Sequence, residues 1–401
     1  MCAVVLLDLA HACRCGCTDR LLREESAAAH AHLYVLPGAG HVADAAATLA
    51  YGSAHRLDSR STAGCVYELK RAADDLDARA LRVITSVRGR ERLLRYQQLL
   101  FTDLYTFTYR LGCPRPTHNS PEVEVEDDVS SFLHTLPALG GPVRLLTSSL
   151  FPDCFGHGFS TRSGGISYIP TLSSLNLFSS ARRRDPPAVV EENRRRLALH
   201  AGFHPRPFHL AKVGHSSQVW IVGESEPESY DAIVTDRPGF VIAAPGADCI
   251  PMVFADPVTK VVGIAHAGWK GTLVGVAMAT VEAMVTHFAC SSENILVALG
   301  PSVGACCFKL ARAHASNFHP VCVTDPQSAK PHVNIRLANR LLLQEGGILP
   351  EHIHDDTVMD RSHVTPCTSC HPRDFFSHVR DGLNFGTQVG FVWIKEAGTP
   401  H

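Results

Sequence analysis

From residue 142 onward the chain alternates short apolar runs with stretches of helical period. GFVIAA (239–244), PMVFAD (251–256) and KVVGIAHA (260–267) are unbroken apolar runs of strand length, which predict buried strands, and PVRLLTSSL (142–150) reads as another. After Trp269, the residues Leu273, Val276, Ala277, Thr280, Val281, Met284 and Phe288 recur at helical spacing and predict one continuous helix. Val274, Ala279 and Val285 make its other face partly apolar, which predicts a helix covered on most sides. Upstream, LRVITSV (81–87) predicts a buried strand, RGRERLLRYQQLLF (88–101) an amphipathic helix and LYTFTYRL (104–111) a further strand. The segment CPRPTHNSPEVEVEDDVSS (113–131) alternates valine with glutamate inside an acidic run, which predicts an exposed edge strand or a solvated linker. Asp185 and Pro186, ahead of PAVVEEN, predict a helix start.

The change of character after Gly140 and Gly141 divides the chain into a small α/β domain over residues 1–140 and a larger domain over 141–401, where the chemistry is expected. With 401 residues the chain is long enough to bury a sizeable core without a disulfide framework. Lysine plus arginine number 37 against 39 aspartates and glutamates, a net charge of -2 that offers no overall attraction for nucleic acid or an anionic membrane. The triple-arginine runs at 182–184 and 194–196 lack interleaved aromatics and are read as a solvated helix face. No apolar run approaches the ~18 residues of a membrane helix. Asp8 interrupts the amino-terminal apolar run, so no secretory signal is expected, and the terminal TPH is not a peroxisomal address. The expectation is a cytoplasmic protein whose 14 cysteines are thiols or metal ligands.

The strand ends carry Asp248, Cys249 and His266, and His215 lies upstream in VGHSSQVW. The spacing of His215, Cys249 and His266 matches no zinc finger. Three dispersed ligands that leave a fourth position free are instead the pattern of catalytic zinc. Gly268 and Gly271 beside His266 would let backbone or ligand approach closely. The same residues also permit a non-metal reading, with Cys249 as nucleophile and His266 as its base. CTSCH (367–371) matches a haem-attachment pattern in form, but haem attachment requires export; a second zinc pair at Cys367 and Cys370 is the alternative to a structural role. CRCGC (13–17) is compatible with metal binding or oxidation, or is incidental.

HGFSTRSGGIS (157–167), SLNLF (174–178), ADCIPMVFADP (247–257), IAHAGWKGT (264–272), GPSVGACCF (300–308) and CTSCHPRDFFSHVRDG (367–382) together resemble, in order and spacing, the YfiH family, long labelled multicopper polyphenol oxidoreductase or laccase. The resemblance covers about residues 146–401, and the extension with LTSSLFPD is similar to vertebrate laccase-domain-containing members. It implies an α+β fold, a sandwich of two mixed β-sheets flanked by helices. It also implies zinc held by His215, Cys249 and His266, and purine nucleoside phosphorylase activity with adenosine deaminase and methylthioadenosine phosphorylase activities at the same site. Bacterial members commonly read Gln-Val-His at the first ligand, where this chain has Val213, Gly214 and His215, so no contact made by that glutamine carries over.

Copper is the weaker cofactor expectation. A multicopper oxidase needs paired His-x-His motifs with a cysteine between histidines, and only His30-Ala-His32 and His352-Ile-His354 have the paired form. An open zinc supports deamination because it lowers the pKa of water from 15.7 to roughly 7; Asp248 is the candidate to move protons. Phosphorolysis requires positive groups on phosphate, for which Arg162 in TRSGG and Arg380 in HVRDG are the candidates, since guanidinium binds phosphate bidentately. Asn176 and Ser302 are candidates for ribose or base, Lys270 is expected in solvent, and GPSVG lacks the spacing of a P-loop. The expected substrates are adenosine, inosine, guanosine and methylthioadenosine with phosphate. The competing readings are a copper polyphenol oxidoreductase, a Cys249 thiol hydrolase and a nucleoside-binding scaffold.

Overall fold

A computed structural model describes residues 3–11, 20–21, 31–38, 54–112, 124–358, 361 and 363–396. The chain forms two compact units, one of Met1–Pro137 with Ser179–Glu192 and the other of Ala138–Phe178 with Asn193–His401. CRCGC (13–17) lies outside the described residues.

In the first unit, β1 (Ala3–Asp8), β2 (Ala31–Leu36), β3 (Ala54–Arg56), β4 (Ala80–Thr85) and β5 (Thr106–Leu111) form a parallel sheet in the order β3-β2-β1-β4-β5. The order reverses between β1 and β4, as in a doubly wound sheet. Val4 to Leu7, Leu33, Val35, Leu81, Val83 and Ile84 are buried, as expected for parallel strands covered on both faces. Helix α1 (Thr62–Asp75) links β3 to β4 and α2 (Val87–Leu100) links β4 to β5, capped by the Ser61 and Ser86 hydroxyls, which accept from Gly64 N–H and Gly89 N–H.

Helix α3 (Val125–Thr135) corrects the linker expectation for part of 113–131; residues 113–123 lie outside the described set. Val125, Val129 and Leu133 fall four apart and are buried, so helical period wins over the short valine–glutamate alternation. Glu126, Asp127 and Asp128 fall in its first turn, where they meet the positive end of the helix dipole. Asp128 Oδ2 also accepts from Ala63 N–H at 2.9 Å and Tyr96 O–H at 2.7 Å, which ties α3 to α1 and α2. The arginine runs are likewise no simple solvated face: Arg183 is buried and Arg184 pairs with Asp74 and Asp77. Arg194, on α4 (Pro187–Ala201), donates to Leu177 O and lies over the Phe208 ring.

The second unit has two mixed sheets, so the α+β sandwich reading holds. Its strands are β6 (Leu145–Leu146), β7 (Phe155–Ser160), β8 (Phe208–Leu210), β9 (Val219–Ile221), β10 (Ala232–Thr235), β11 (Val241–Gly246), β12 (Ile250–Asp256), β13 (Val261–Ala267), β14 (Leu296–Leu299), the small pair β15 (Val323–Thr324) and β16 (His332–Val333), then β17 (Ile353–His354) and β18 (Gln388–Ile394). One sheet runs β17-β14-β12-β13-β10-β9 and the other β6-β7-β18-β11-β8. Alternate side chains explain the continuous apolar runs. Val253, Ala255, Val262 and Ile264 share a core with Ile242, Ala244 and Val392 of the facing sheet. Met252, Phe254 and Ala265 point the other way, against Val276, Val281 and Met284.

Two local expectations change. Of PVRLLTSSL only Leu145 and Leu146 pair as a strand. The helix after Trp269 breaks into α5 (Trp269–Leu273) and α6 (Val276–Phe288) at Gly275, whose φ of 77° only glycine adopts easily. Val274 and Val285 are exposed, so this helical region is open on its second face. The remaining helices used below are α7 (Arg312–Ala315), α8 (Ile335–Glu345) and α9 (His378–Asp381). Among the described residues no helix is long and apolar enough to cross a membrane.

Candidate metal centre

The β12–β13 pairing brings two of the sequence candidates together. Their antiparallel register sets Ile250 against Ala267 and Pro251 against His266, so Cys249, just before β12, meets the end of β13. His215 arrives on the loop before β9 in the left-handed region, at φ 57°. That conformation costs about 1 kcal/mol or more for a residue with a Cβ. It is held because the N–H groups of Gly214, His215 and Ser216 converge on the Asp231 carboxylate at 3.1, 3.0 and 2.7 Å. Each of His215, Cys249 and His266 then offers a ligand atom within 4.8 Å of the others.

Asp231 was not a sequence candidate, and it organises the site. It precedes β10, whose antiparallel pairing with β13 sets Ala232 opposite Ala265 and so places the carboxylate beside His266. His266 Nδ1 lies 3.0 Å from Asp231 Oδ1. With Nδ1–H donating to the carboxylate, Nε2 keeps its lone pair for a metal, the usual carboxylate–histidine arrangement behind metal ligands. The only sequence signal was an aspartate opening an apolar strand in YDAIVT, which is also an ordinary strand-start pattern.

Gly268 is required where it stands: an added Cβ would lie 2.8 Å from Cys249 Sγ and 3.4 Å from His215 Cδ2. At Gly271 an added Cβ would make only ordinary contacts, from 3.4 Å outward, so the second glycine is not demanded by the site. Lys270 is exposed, as expected.

Charge is stabilised throughout this cluster. Burial pushes the Cys249 thiol up, but His266 and His215 outweigh it and hold the group at about 6. Burial pushes His266 down, while the Cys249 thiolate and Asp231 raise it to about 9. Burial raises Asp231, and the His266 and Ser216 hydrogen bonds bring it down to about 2. The arrangement can therefore bind a cation through one thiolate and two imidazoles, or present a thiolate beside an imidazolium.

The other candidates have different surroundings. Asp248, at φ 98°, accepts from Thr368 O–H and Ser377 O–H at 2.7 Å each and from Val379 N–H at 2.6 Å. With three donors on its carboxylate it anchors the loop next to Cys249. Asn176 is fully buried, accepting from Thr387 N–H and bonding the Phe178 backbone. Ser302 is fully buried and accepts from Arg336 Nε–H at 2.9 Å. Both bond the chain's own backbone and side chains, turn roles that asparagine and serine commonly fill.

Arg162 donates to the carbonyls of Ser173, Pro372 and Pro170 and lies over the Phe376 ring at 4.7 Å. Arg380 donates to Thr368 O, Phe375 O and Asp381. Burial, with the Arg380 charge adding to it, pulls the Arg162 guanidinium below its ordinary value, so the two cations sense each other. A short relay connects Arg380 to the cluster, because Thr368 bonds Arg380 through its carbonyl and Asp248, the neighbour of Cys249, through its hydroxyl. A separate cleft of about 1300 Å³, lined by Phe151, His157, Arg206, Trp393 and Lys395 among others, contains none of the candidate residues.

Comparison with known proteins agrees with the motifs. The family model described as multi-copper polyphenol oxidoreductase laccase matches residues 156–395, and the chain belongs to this family. Purine nucleoside phosphorylase LACC1 of Homo sapiens is 51% identical over 355 residues, 84% of this chain and 81% of its own length. Adenosine deaminase RL5, from an unknown prokaryotic organism, is 30% identical over 59% of this chain and 93% of its own length. The crystal structure of YlmD from Geobacillus stearothermophilus matches with a TM-score of 0.54 and 29% identity, covering 61% of this chain and 93% of its own.

Proposed function

We propose that the chain is a zinc-dependent purine nucleoside phosphorylase that cleaves adenosine, inosine, guanosine and methylthioadenosine with phosphate, deaminates adenosine at the same site, and carries this chemistry in residues 141–401. The observation that carries the reading is the His215–Cys249–His266 cluster backed by Asp231. Relatives named purine nucleoside phosphorylase and adenosine deaminase support the reaction class.

The donor set fits zinc. Two imidazoles and one thiolate suit a borderline-soft ion, three protein ligands leave a position for water or substrate, and Asp231 fixes the tautomer of one ligand. A copper cluster is not favoured: His354, from the His-x-His pair, sits fully buried with Nδ1 2.7 Å from Ser148 Oγ. Bound at this site, zinc would supply Lewis acidity and bring the pKa of water toward ~7.

The chain's own residues would do the rest. Asp231 orients His266 and holds the left-handed His215 turn, while Gly268 keeps the approach to Cys249 free of a side chain. Phosphorolysis brings a phosphate dianion to an anomeric carbon that gains positive charge as the purine leaves. Arg162 and Arg380 would hold that dianion by their combined field, Arg162 through the second N–H of each terminal nitrogen and Arg380 through that of Nη1, since its Nη2 already donates to Phe375 O and Asp381. Asp248 acts as a positioning residue for Cys249 through Thr368, Ser377 and Val379.

The test is purine and sugar analysis after incubation with adenosine, with and without phosphate. Ribose-1-phosphate formed only with phosphate, and absent after chelation, supports the reading. The depressed Cys249 thiol favours one second reading, a thiol hydrolase. Activity that survives chelation but is lost in Cys249→Ser would establish that alternative instead.

A further inference from the structure

The four cysteines Cys306, Cys307, Cys367 and Cys370 form a second cluster, and the reaction above uses none of them. Cys306 and Cys307 lie on the loop after β14, and Cys367 and Cys370 lie on the loop before α9. A bridge between Ser302 and Cys367 aligns the two loops, reinforced by Thr368 N–H donating to Ser302 O at 3.0 Å. All four Sγ atoms lie within 4.8 Å of one another.

Their spacing separates two chemistries. Cys370 Sγ lies 3.6 Å from Cys306 Sγ and 3.4 Å from Cys307 Sγ. A disulfide would bring two of them to about 2.05 Å. Four thiolates at ~2.3 Å around a tetrahedral ion stand about 3.8 Å apart. The observed separations are far from a disulfide bond and close to those of a chelate.

The surroundings suit four thiolates. Gly304 N–H donates to Cys367 Sγ at 3.3 Å, a backbone donor of the kind that stabilises metal-bound sulfur. An added Cβ at Gly304 would lie 3.1 Å from Cys306 Sγ and 3.6 Å from the Arg336 guanidinium, so the cation borders the cluster. Arg336, on α8, is held there by Ser302 Oγ, Pro366 O and Asp356. Zinc with four thiolates carries a net charge of -2, which the guanidinium, itself partly offset by Asp356, and the amide dipole face.

We propose that these four cysteines bind a zinc ion in a closed, structural site. Binding releases the four thiol protons and leaves no position for substrate. The ion would cross-link the 300–308 loop to the 366–370 loop. Thr368 adjoins Cys367 and bonds Asp248, which adjoins Cys249, so the cross-link would steady the loops around the first cluster from outside it.

The experiment separates this ion from any metal at the first cluster. His215→Ala protein, purified without added metal and under reduction, is analysed for metal content and by X-ray absorption at the zinc edge. The expected result is one zinc per chain with four sulfur neighbours at ~2.3 Å, falling to none when Cys306→Ser and Cys370→Ser are added. Should that combined variant not fold, the absorption spectrum of His215→Ala alone decides. Zinc with mixed nitrogen and sulfur ligands, a protein free of metal, or an intact mass two hydrogens light from a bond to Cys370 would each overturn the proposal. Loss of purine activity in His215→Ala has no bearing on the result.

Discussion

The two donor clusters of the second unit differ in number, softness and backing. His215, Cys249 and His266 are three donors of mixed type with a carboxylate behind one imidazole; Cys306, Cys307, Cys367 and Cys370 are four of one type with an amide N–H and a guanidinium behind them. As zinc sites, the first would carry +1 before Asp231 is counted and keep a position free, whereas the second would carry -2 and keep none. Each backing group opposes the charge in front of it. The contrast teaches that the count of donors separates a site suited to chemistry from one suited to holding loops, and that the nearby charge shows which ionisation state the fold supports.

Breaking the first cluster should have the largest effect. His266→Ala removes a ligand and should lower phosphorolysis by at least ~100-fold while leaving sulfur-only zinc in place, read by kinetics and X-ray absorption on the same sample. Equal loss of both ions would merge the two sites into one cooperative unit. Next in size is Asp231→Asn. It keeps the shape but weakens the support of His266, and metal affinity at the first cluster should fall about 10- to 100-fold in competition with a chromophoric chelator. Unchanged affinity would reduce Asp231 to a brace for the His215 turn. Gly268→Ala should weaken that affinity by about tenfold or less, because the added Cβ meets Cys249 Sγ at 2.8 Å and must displace it. The four-cysteine ion should be indifferent to this change.

A separate effect concerns acid stability away from both clusters. His157 is partly buried against Phe151 and accepts from Ser148 N–H at 2.9 Å, and desolvation pushes its pKa down to about 4. The unfolded chain binds this proton near 6.5, so the contribution is complete above that pH and is lost as pH falls from 6.5 to 4. The loss amounts to about 3 kcal/mol. His157→Gln should flatten denaturant-measured stability across that window, and an unchanged slope would assign the acid sensitivity elsewhere.

The strands that bring Cys249 and His266 together were legible because residues buried on both faces make unbroken apolar runs. The grouping of His215, Cys249 and His266 was legible through the family motifs, since gaps of this size carry no geometry by themselves. Asp231 was hidden because a carboxylate that serves a ligand across a sheet shows only strand pairing, which the sequence does not print. The α3 helix was missed because five residues of valine–glutamate alternation outweighed a period visible only when Val125, Val129 and Leu133 are taken together. Asn176 and Ser302 drew attention as polar residues in motifs, yet full burial gives them partners inside the chain. The closed cluster was half legible: CTSC suggested a pair, but Cys306 and Cys307 joined it only through the bridge at Ser302.

The central claim is that the open cluster is a zinc site for phosphorolysis, and it is tested most directly by assaying zinc-depleted and zinc-restored protein with adenosine and phosphate. The account predicts ribose-1-phosphate and adenine in proportion to the zinc restored at His215, Cys249 and His266, with none formed when phosphate is left out. Copper-dependent phenol oxidation with no purine product, or cleavage at an unchanged rate in the zinc-free protein, would contradict it.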